Sequence, residues 1–130
     1  MTLPIWLLPL SIALAMLSTD LRAPRQQTKY YYAAGQNASL QKHYKAVSNV
    51  FALDCRLPSS TDIGPQFSNF YKAEYSRGSD DWITGYLYGP YDTPEAANKA
   101  RYAKIADMKQ WCEEPKCFFT MATGFRPSCQ

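Results

Sequence analysis

The stretch from Trp82 to Trp111, WITGYLYGPYDTPEAANKARYAKIADMKQW, opens with the pattern of a β-strand. Aromatic residues, including Tyr86 and Tyr88, alternate with Ile83, Gly85 and Leu87, so the two sets point to opposite sides of a pleat. Aliphatic side chains are the more usual core residues. We therefore expect Ile83 and Leu87 to pack under helices, and the aromatic row to face away from them. The alternative is that the residue before Gly89-Pro90 points inward, which would exchange the two rows.

A tight turn and a helix follow this strand directly. Gly89-Pro90 ends the strand. Thr93 can cap free N–H groups, Pro94 suits the first helical position, and Glu95 meets the positive end of the helix dipole. The residues that follow are good helix formers, so a helix is predicted from Pro94 to about Trp111.

The chain before this unit predicts another strand and helix. Lys29 to Ala34 is typical of a strand, which Gly35 would end. Asn37 or Ser39 could cap a helix that runs to about Leu53. The apolar residues of this segment recur at helical spacing: Leu40, Tyr44, Val47 and Phe51.

Two further strands complete the prediction. Residues 55–66 hold two prolines and a glycine and indicate a loop. Phe70 to Tyr75 predicts a strand that turns through residues 77–81 and pairs with the strand of Trp82 to Tyr88. The last strand is expected over Cys117 to Thr123.

The predicted order is therefore β-α-β-β-α-β, in the α+β class. Two such halves would interleave as one four-stranded antiparallel sheet with both helices on one face. The other face would be free to bind a ligand.

The N-terminus carries an apolar run from Leu3 to Leu17. The run is shorter than the roughly 20 residues of a membrane-spanning helix and matches the core of a signal peptide. No Lys or Arg precedes it and its cleavage site is unclear, so an uncleaved membrane anchor through residues 3–17 is the alternative. We expect a leader over residues 1–23, a tether over 24–28, a folded domain over 29–130, and export to the periplasm or the extracellular space.

The cysteines agree with export. An even set of four cysteines in a small chain with a leader indicates two disulfides rather than a metal site. In the predicted topology the second strand begins, and the last strand finishes, at one end of the sheet. This favours Cys55–Cys129 and Cys112–Cys117 among the three pairings.

The net charge of +3 is mild and the basic residues are scattered, so nucleic acid is not an expected partner. No cofactor is indicated.

His43 is the single histidine, and we expect a partly buried structural role for it on the first helix. Asn37-Ala38-Ser39 fits a glycosylation sequon, but a helix cap is the preferred interpretation. Asp80-Asp81 is adjacent in sequence, which suits a solvated turn rather than a glycosidase pair. We expect no enzymatic activity.

The chain resembles the SPOR family of bacterial envelope proteins in two places. Tyr88-Gly89-Pro90-Tyr91, followed by Asp92-Thr93-Pro94-Glu95-Ala96-Ala97, is similar to the family's strand-Gly-Pro-aromatic-cap-helix signature. Tyr31-Tyr32-Ala33-Ala34-Gly35 resembles its first strand, although the family usually has a Gln there and an aromatic residue soon after the glycine. The resemblance spans about Thr28 to Thr123 and implies a ferredoxin-like fold that binds peptidoglycan glycan strands lacking stem peptides.

Ten tyrosines in 130 residues are unusual for a small core. Packing within a β-sheet is one interpretation of this excess, and a surface that stacks on flat or sugar-like ligands is the alternative. The expected ligand-binding residues are Tyr30, Tyr32, Trp82, Tyr86 and Tyr88. The alternative function is that of a secreted, disulfide-stabilised inhibitor or effector that uses the same aromatic surface to bind a protein partner.

Overall fold

A computed structural model describes residues 27–38, 42–56, 58–112 and 115–129. The elements in chain order are β1 (Lys29–Ala38), β2 (His43–Ser48), β3 (Phe51–Leu53), α1 (Ser60–Glu74), β4 (Thr84–Tyr91), α2 (Pro94–Gln110) and β5 (Cys117–Ala122). The expected leader or anchor, and most of the expected tether, lie outside the described residues. Among the described residues, no helix has the length and apolar character needed to cross a membrane.

One five-stranded sheet organises these elements. The long strand β1 lies at its centre. One side of β1 pairs antiparallel with β2 and β3, which follow each other along the same edge. The other side of β1 pairs antiparallel with β4, and β5 adds to β2 in parallel. β4, β5 and the short β3 therefore each pair with another strand on one side only.

The helices lie on opposite faces of this sheet. Tyr31 and Ala33 of β1 share a buried cluster with Ile63, Phe67 and Tyr71, which come from α1. The alternate residues of β1 share a second buried cluster with α2. The members of that second cluster are Tyr32, Ala34, Val47, Ile105 and Met108.

The α+β class is confirmed, but the predicted order and layering are wrong. The observed order is β-β-β-α-β-α-β, without two similar halves. The expected open face does not exist, because α1 covers one side of the sheet and α2 packs on the other. Ile83 and Leu87 do pack in the α1 cluster as predicted.

The predicted helix from residue 37 or 39 to Leu53 is wrong, because the described part of this segment forms strands β2 and β3. Residues 39–41, including Leu40 of the predicted stripe, lie outside the described residues. β2 is covered on both faces: Tyr44 packs on the α1 side and Val47 on the α2 side. A strand buried on both faces carries apolar residues of both parities. Their spacing can then imitate a helical period.

The predicted loop over 55–66 and the predicted strand over Phe70 to Tyr75 are also wrong, because helix α1 occupies most of both. Its buried side chains Ile63, Phe67 and Tyr71 recur every four residues, which is the helical period. Pro65 lies inside the helix at an exposed position, where its ring does not interrupt the buried stripe. Residues that usually break a helix, such as Pro65, are therefore the reason that the sequence does not predict α1.

The strand, the cap and the helix of the unit that begins at Trp82 are confirmed, but the predicted strand end is wrong, because β4 continues through Gly89-Pro90. β4 ends at Tyr91, and α2 starts at Pro94 with Thr93 as its N-cap. The Thr93 hydroxyl accepts a hydrogen bond from the Ala96 N–H at 3.1 Å. The last strand and the first strand are also confirmed, although β1 continues through Gly35 to Ala38.

Both disulfides form in the predicted pairing. Cys55–Cys129 joins residues 74 apart in sequence, and Cys112–Cys117 joins residues 5 apart. The parallel pairing of β2 with β5 brings the tail after β5 to the end of the sheet where Cys55 lies. A loop-entropy estimate gives about 4 kcal/mol for the long-range disulfide and about 2 kcal/mol for the short one. Two disulfides are typical of proteins from oxidising compartments, which agrees with export.

Candidate functional site

The sheet face under α2 is only partly covered, and a cleft remains between this helix and β4. The cleft has a volume of about 230 Å³. Its floor is formed by Ala34, Gly35 and Gln36 of β1. Its walls come from β4, from β2 and from the C-terminal half of α2: Tyr86, Tyr88, Lys45, Lys104, Asp107, Met108 and Trp111.

The β4 wall is aromatic because the even residues of β4 face α2. Tyr88 stacks on Tyr32, with ring centroids 5.0 Å apart and planes 5° from parallel. Tyr32 also stacks on Tyr91 at 6.3 Å. This stack fixes the orientation of Tyr88, while Tyr86 remains 50% exposed at the cleft.

The α2 wall carries the charged groups. Residues 97, 101, 105 and 108 form the buried stripe of α2, so Lys104 and Asp107 lie beside that stripe and project toward the cleft. The Lys104 ammonium lies 4.8 Å from the centroid of the Tyr88 ring. Lys45 reaches across from β2 and donates a hydrogen bond to the Met108 carbonyl oxygen at 3.1 Å.

Trp111 ends the α2 wall immediately after the last helical residue. It is 73% exposed, which is the largest value among the large hydrophobic side chains described. Its neighbour Cys112 is bonded to Cys117 at the start of β5, so the disulfide anchors the chain at this point. The exposed indole therefore offers a face for stacking at this end of the cleft.

These groups give the cleft a defined chemistry. The faces of Tyr86 and Trp111 can stack on apolar C–H surfaces. Lys104 provides a positive charge, and Gln36 and Asp107 provide hydrogen-bonding groups. Two aromatic faces with a few polar groups around a small cavity are suited to one sugar ring. Such a cavity is smaller than the pockets of about 300–1,000 Å³ that hold drug-sized ligands.

The structure separates the five predicted ligand-binding residues. Tyr86 and Tyr88 line the cleft. Tyr32 is only 3% exposed and supports Tyr88 from below. Tyr30 is half-buried at the far end of β1 opposite Tyr91, and Trp82 is 47% exposed but lies outside the cleft. Of the five residues predicted on one open face, two therefore line the cleft, one packs beneath it and two lie on other surfaces.

Sequence reasoning missed Trp111 and the two lysines. The sequence places Trp111 at the end of the second predicted helix, with no binding role. Lys104 is a charge among the apolar residues of that helix, and this is the signal that could identify it. Lys45 could not be found because the segment that carries it was predicted to be helical.

Burial changes the chemistry of the supporting tyrosine. Removal of Tyr32 from water raises its pKa, and its neighbours Tyr91 and Tyr88 raise it further. Tyr32 therefore stays neutral when an exposed phenol would ionise. A neutral phenol is what a tight stack of three tyrosines requires.

Three expectations about polar residues are corrected. Asn37 does not cap a helix: it lies in β1 and is 8% exposed, and within the described part of the chain its side-chain nitrogen has no hydrogen-bond partner. His43 is exposed at the start of β2 rather than partly buried on a helix. Asp81 is buried and accepts hydrogen bonds from the Tyr71 hydroxyl and the Arg77 N–H, so it is not part of a solvated turn.

Within the described parts of the chain, no group of three His, Cys, Asp or Glu side chains is arranged to hold a metal ion. All four cysteines are in disulfides. The described polar side chains of the cleft carry phenol, indole, amide, ammonium and carboxylate groups. Each of these groups can form hydrogen bonds with a ligand.

Comparison with protein-family models, with curated proteins and with solved structures found no match. The class of the protein therefore follows from its own features. It is a disulfide-stabilised α+β module with one aromatic, positively charged cleft between α2 and β4.

Proposed function

We propose that the protein is an exported, non-enzymatic binding module that recognises peptidoglycan glycan strands through the α2–β4 cleft. The observation that carries the proposal is that Tyr86 and Trp111 line one small cavity together with Lys104. The open sheet face expected from sequence is replaced by this cleft, and two of the predicted residues remain part of the site.

The lining of the cleft supports a glycan ligand. Pyranose rings present C–H faces to aromatic side chains and hydroxyl groups to amides and carboxylates. Glycan strands without stem peptides also carry free carboxylates, which suit the Lys104 ammonium. Tyr86 and Trp111 are 50% and 73% exposed, so their faces are accessible to a ligand in the cleft.

The direct test is co-sedimentation of the purified protein with peptidoglycan sacculi. Trp111→Ala removes a stacking surface of the cleft, and a single aromatic contact of about 1 kcal/mol corresponds to roughly fivefold in affinity. We expect Trp111→Ala to bind sacculi at least about fivefold more weakly than the wild-type protein.

Trp82→Ala is the matched control, because Trp82 is also an exposed tryptophan but lies outside the cleft. It should bind as the wild-type protein does. Equal loss in both variants would show that exposed aromatics bind sacculi without a defined site. No retention of the wild-type protein would refute the proposed ligand.

A further inference from the structure

The β4 edge and the β5 edge of the sheet differ in how far their outward main-chain groups are satisfied by hydrogen bonds. At the β4 edge, the Ser68 hydroxyl accepts a hydrogen bond from the Gly85 N–H at 2.9 Å. The Ser60 hydroxyl accepts one from the Leu87 N–H at 3.0 Å. Helix α1 therefore satisfies two N–H groups of this edge that would otherwise be free to pair with another strand.

The outer edge of β5 has no comparable cover among the described residues. The His43 N–H donates to the Lys116 carbonyl oxygen at 2.7 Å, so this end of the parallel ladder uses the even-numbered residues of β5. The N–H and C=O groups of Phe119 and Met121 then point away from β2. The one described main-chain bond on that side is from the Thr123 N–H to the Met121 carbonyl oxygen.

The sequence of β5 also lacks the features that usually protect an edge. Residues 117–122 read CFFTMA, without a charge or a proline. Met121 is 42% exposed, and Phe118 and Phe119 are half-buried on opposite faces. An uncharged edge strand of this kind is suited to pairing with another extended segment.

Positive groups surround this edge on both faces. The Arg77 guanidinium lies 5.6 Å from the centroid of the Phe118 ring on the α1 side. The Lys109 ammonium lies 5.2 Å from the Phe119 ring on the α2 side. The exposed Lys116 precedes the strand. Within the described part of the chain, none of these three cations forms a salt bridge with a carboxylate.

We propose that the outer edge of β5 binds an extended, acidic segment of a partner protein by strand addition. Main-chain hydrogen bonds to Phe119 and Met121 provide the pairing. Arg77 and Lys109 select acidic side chains, since they flank the added strand on its two faces and would repel a basic one. This site is separate from the glycan cleft, and the proposal does not depend on the proposed function.

The probe is a blocked six-residue peptide that alternates glutamate and valine, added at millimolar concentration to the isotope-labelled protein. Hydrogen exchange is measured at single amides by nuclear magnetic resonance. We expect exchange at Phe119 and Met121 to slow by about tenfold or more at saturation. Phe118 and Thr120 should change little, because their N–H groups already bond β2.

Two variants make the test specific. Met121→Pro removes an outward N–H but no N–H of the β2 ladder, and it should abolish the effect at Phe119. Combined Arg77→Glu and Lys109→Glu changes two exposed residues and should reverse the preference, so that a lysine-valine peptide binds instead. This second variant decides the question if the proline variant does not fold.

Other outcomes would overturn the proposal. Equal protection by glutamate and lysine peptides would show pairing without charge selection. Protection that grows with protein concentration in the absence of peptide would identify a second copy of the chain as the occupant. Changes caused by anionic lipid vesicles and not by the peptide would identify a membrane surface instead.

Discussion

At the scale of single residues, two tyrosines hold the interior in place from opposite sides of the sheet. Tyr32 is stacked between Tyr88 and Tyr91 under α2, and Tyr71 donates its hydroxyl proton to the buried Asp81 under α1. Burial raises the pKa of Tyr32, and burial together with the bond to Asp81 raises the pKa of Tyr71. The Tyr32 and Tyr71 side chains therefore stabilise the folded protein only while their hydroxyl groups are neutral.

This predicts an alkaline limit to stability. The folded pKa values of Tyr32 and Tyr71 exceed the unfolded value, so their contribution is complete below about pH 10 and is lost as the pH rises toward the folded values. Tyrosinate absorbance should increase in two phases, the later one coinciding with loss of circular dichroism. Tyr32→Phe should reduce the amplitude of the later phase. A single phase with an intact dichroism spectrum would contradict the role assigned to these tyrosines.

At the scale of elements, the packing of α1 on β4 depends on two glycines that face each other. A Cβ atom on Gly64 would lie 2.3 Å from the Gly85 carbonyl oxygen, which is closer than atoms can approach. This contact allows Ser60 and Ser68 to reach the β4 edge on either side of it.

Gly64→Ala should therefore destabilise the protein although alanine is the better helix former. Overpacking typically costs about 1–3 kcal/mol, which exceeds the gain of roughly 1 kcal/mol in helix propensity. Chemical denaturation measures the change in unfolding free energy. Gly78→Ala is the control, because its Cβ would meet only the Asp80 side chain at 3.4 Å. It should stay within about 0.5 kcal/mol of wild type. A more stable Gly64→Ala protein would refute the close contact.

The same scale shows what sequence could and could not predict. The strand and helix from β4 to α2 follow from local signals: alternation along the strand, a threonine cap and a run of helix formers. The Gly89-Pro90 signal misleads, because β4 continues through it to Tyr91. β2 was mispredicted because its burial on both faces depends on helices elsewhere in the chain. Helix α1 is not predicted because Gly64 counts as a helix breaker by local rules. In the fold, the absence of a side chain at Gly64 allows the close contact with Gly85. Tertiary packing, rather than local propensity, decides both elements.

The candidate site residues also divide into those that local sequence predicts and those that depend on tertiary packing. Tyr86 and Tyr88 were found because alternation along β4 is local. Trp111 and Lys45 were missed because their place at the cleft depends on how α2 crosses the sheet.

At the scale of the whole molecule, the sheet is covered by α1 on one face and by α2 on the other. This arrangement removes the open recognition face that the sequence predicted. It leaves the α2–β4 cleft as the place where Trp111 and the β4 tyrosines meet. The described lining of the cleft comes from β1, β2, β4, α2 and Trp111 and includes no residue of β5, so the two proposed sites do not share a residue.

The central claim is that the cleft is the glycan site, and one titration tests it most directly. The isotope-labelled protein is titrated with a soluble disaccharide of N-acetylglucosamine and N-acetylmuramic acid while amide chemical shifts are recorded. We predict that the largest changes map to residues 34–36, 86–88 and 104–111. Changes centred on Trp82 or on β5, or no change at millimolar disaccharide, would contradict the claim.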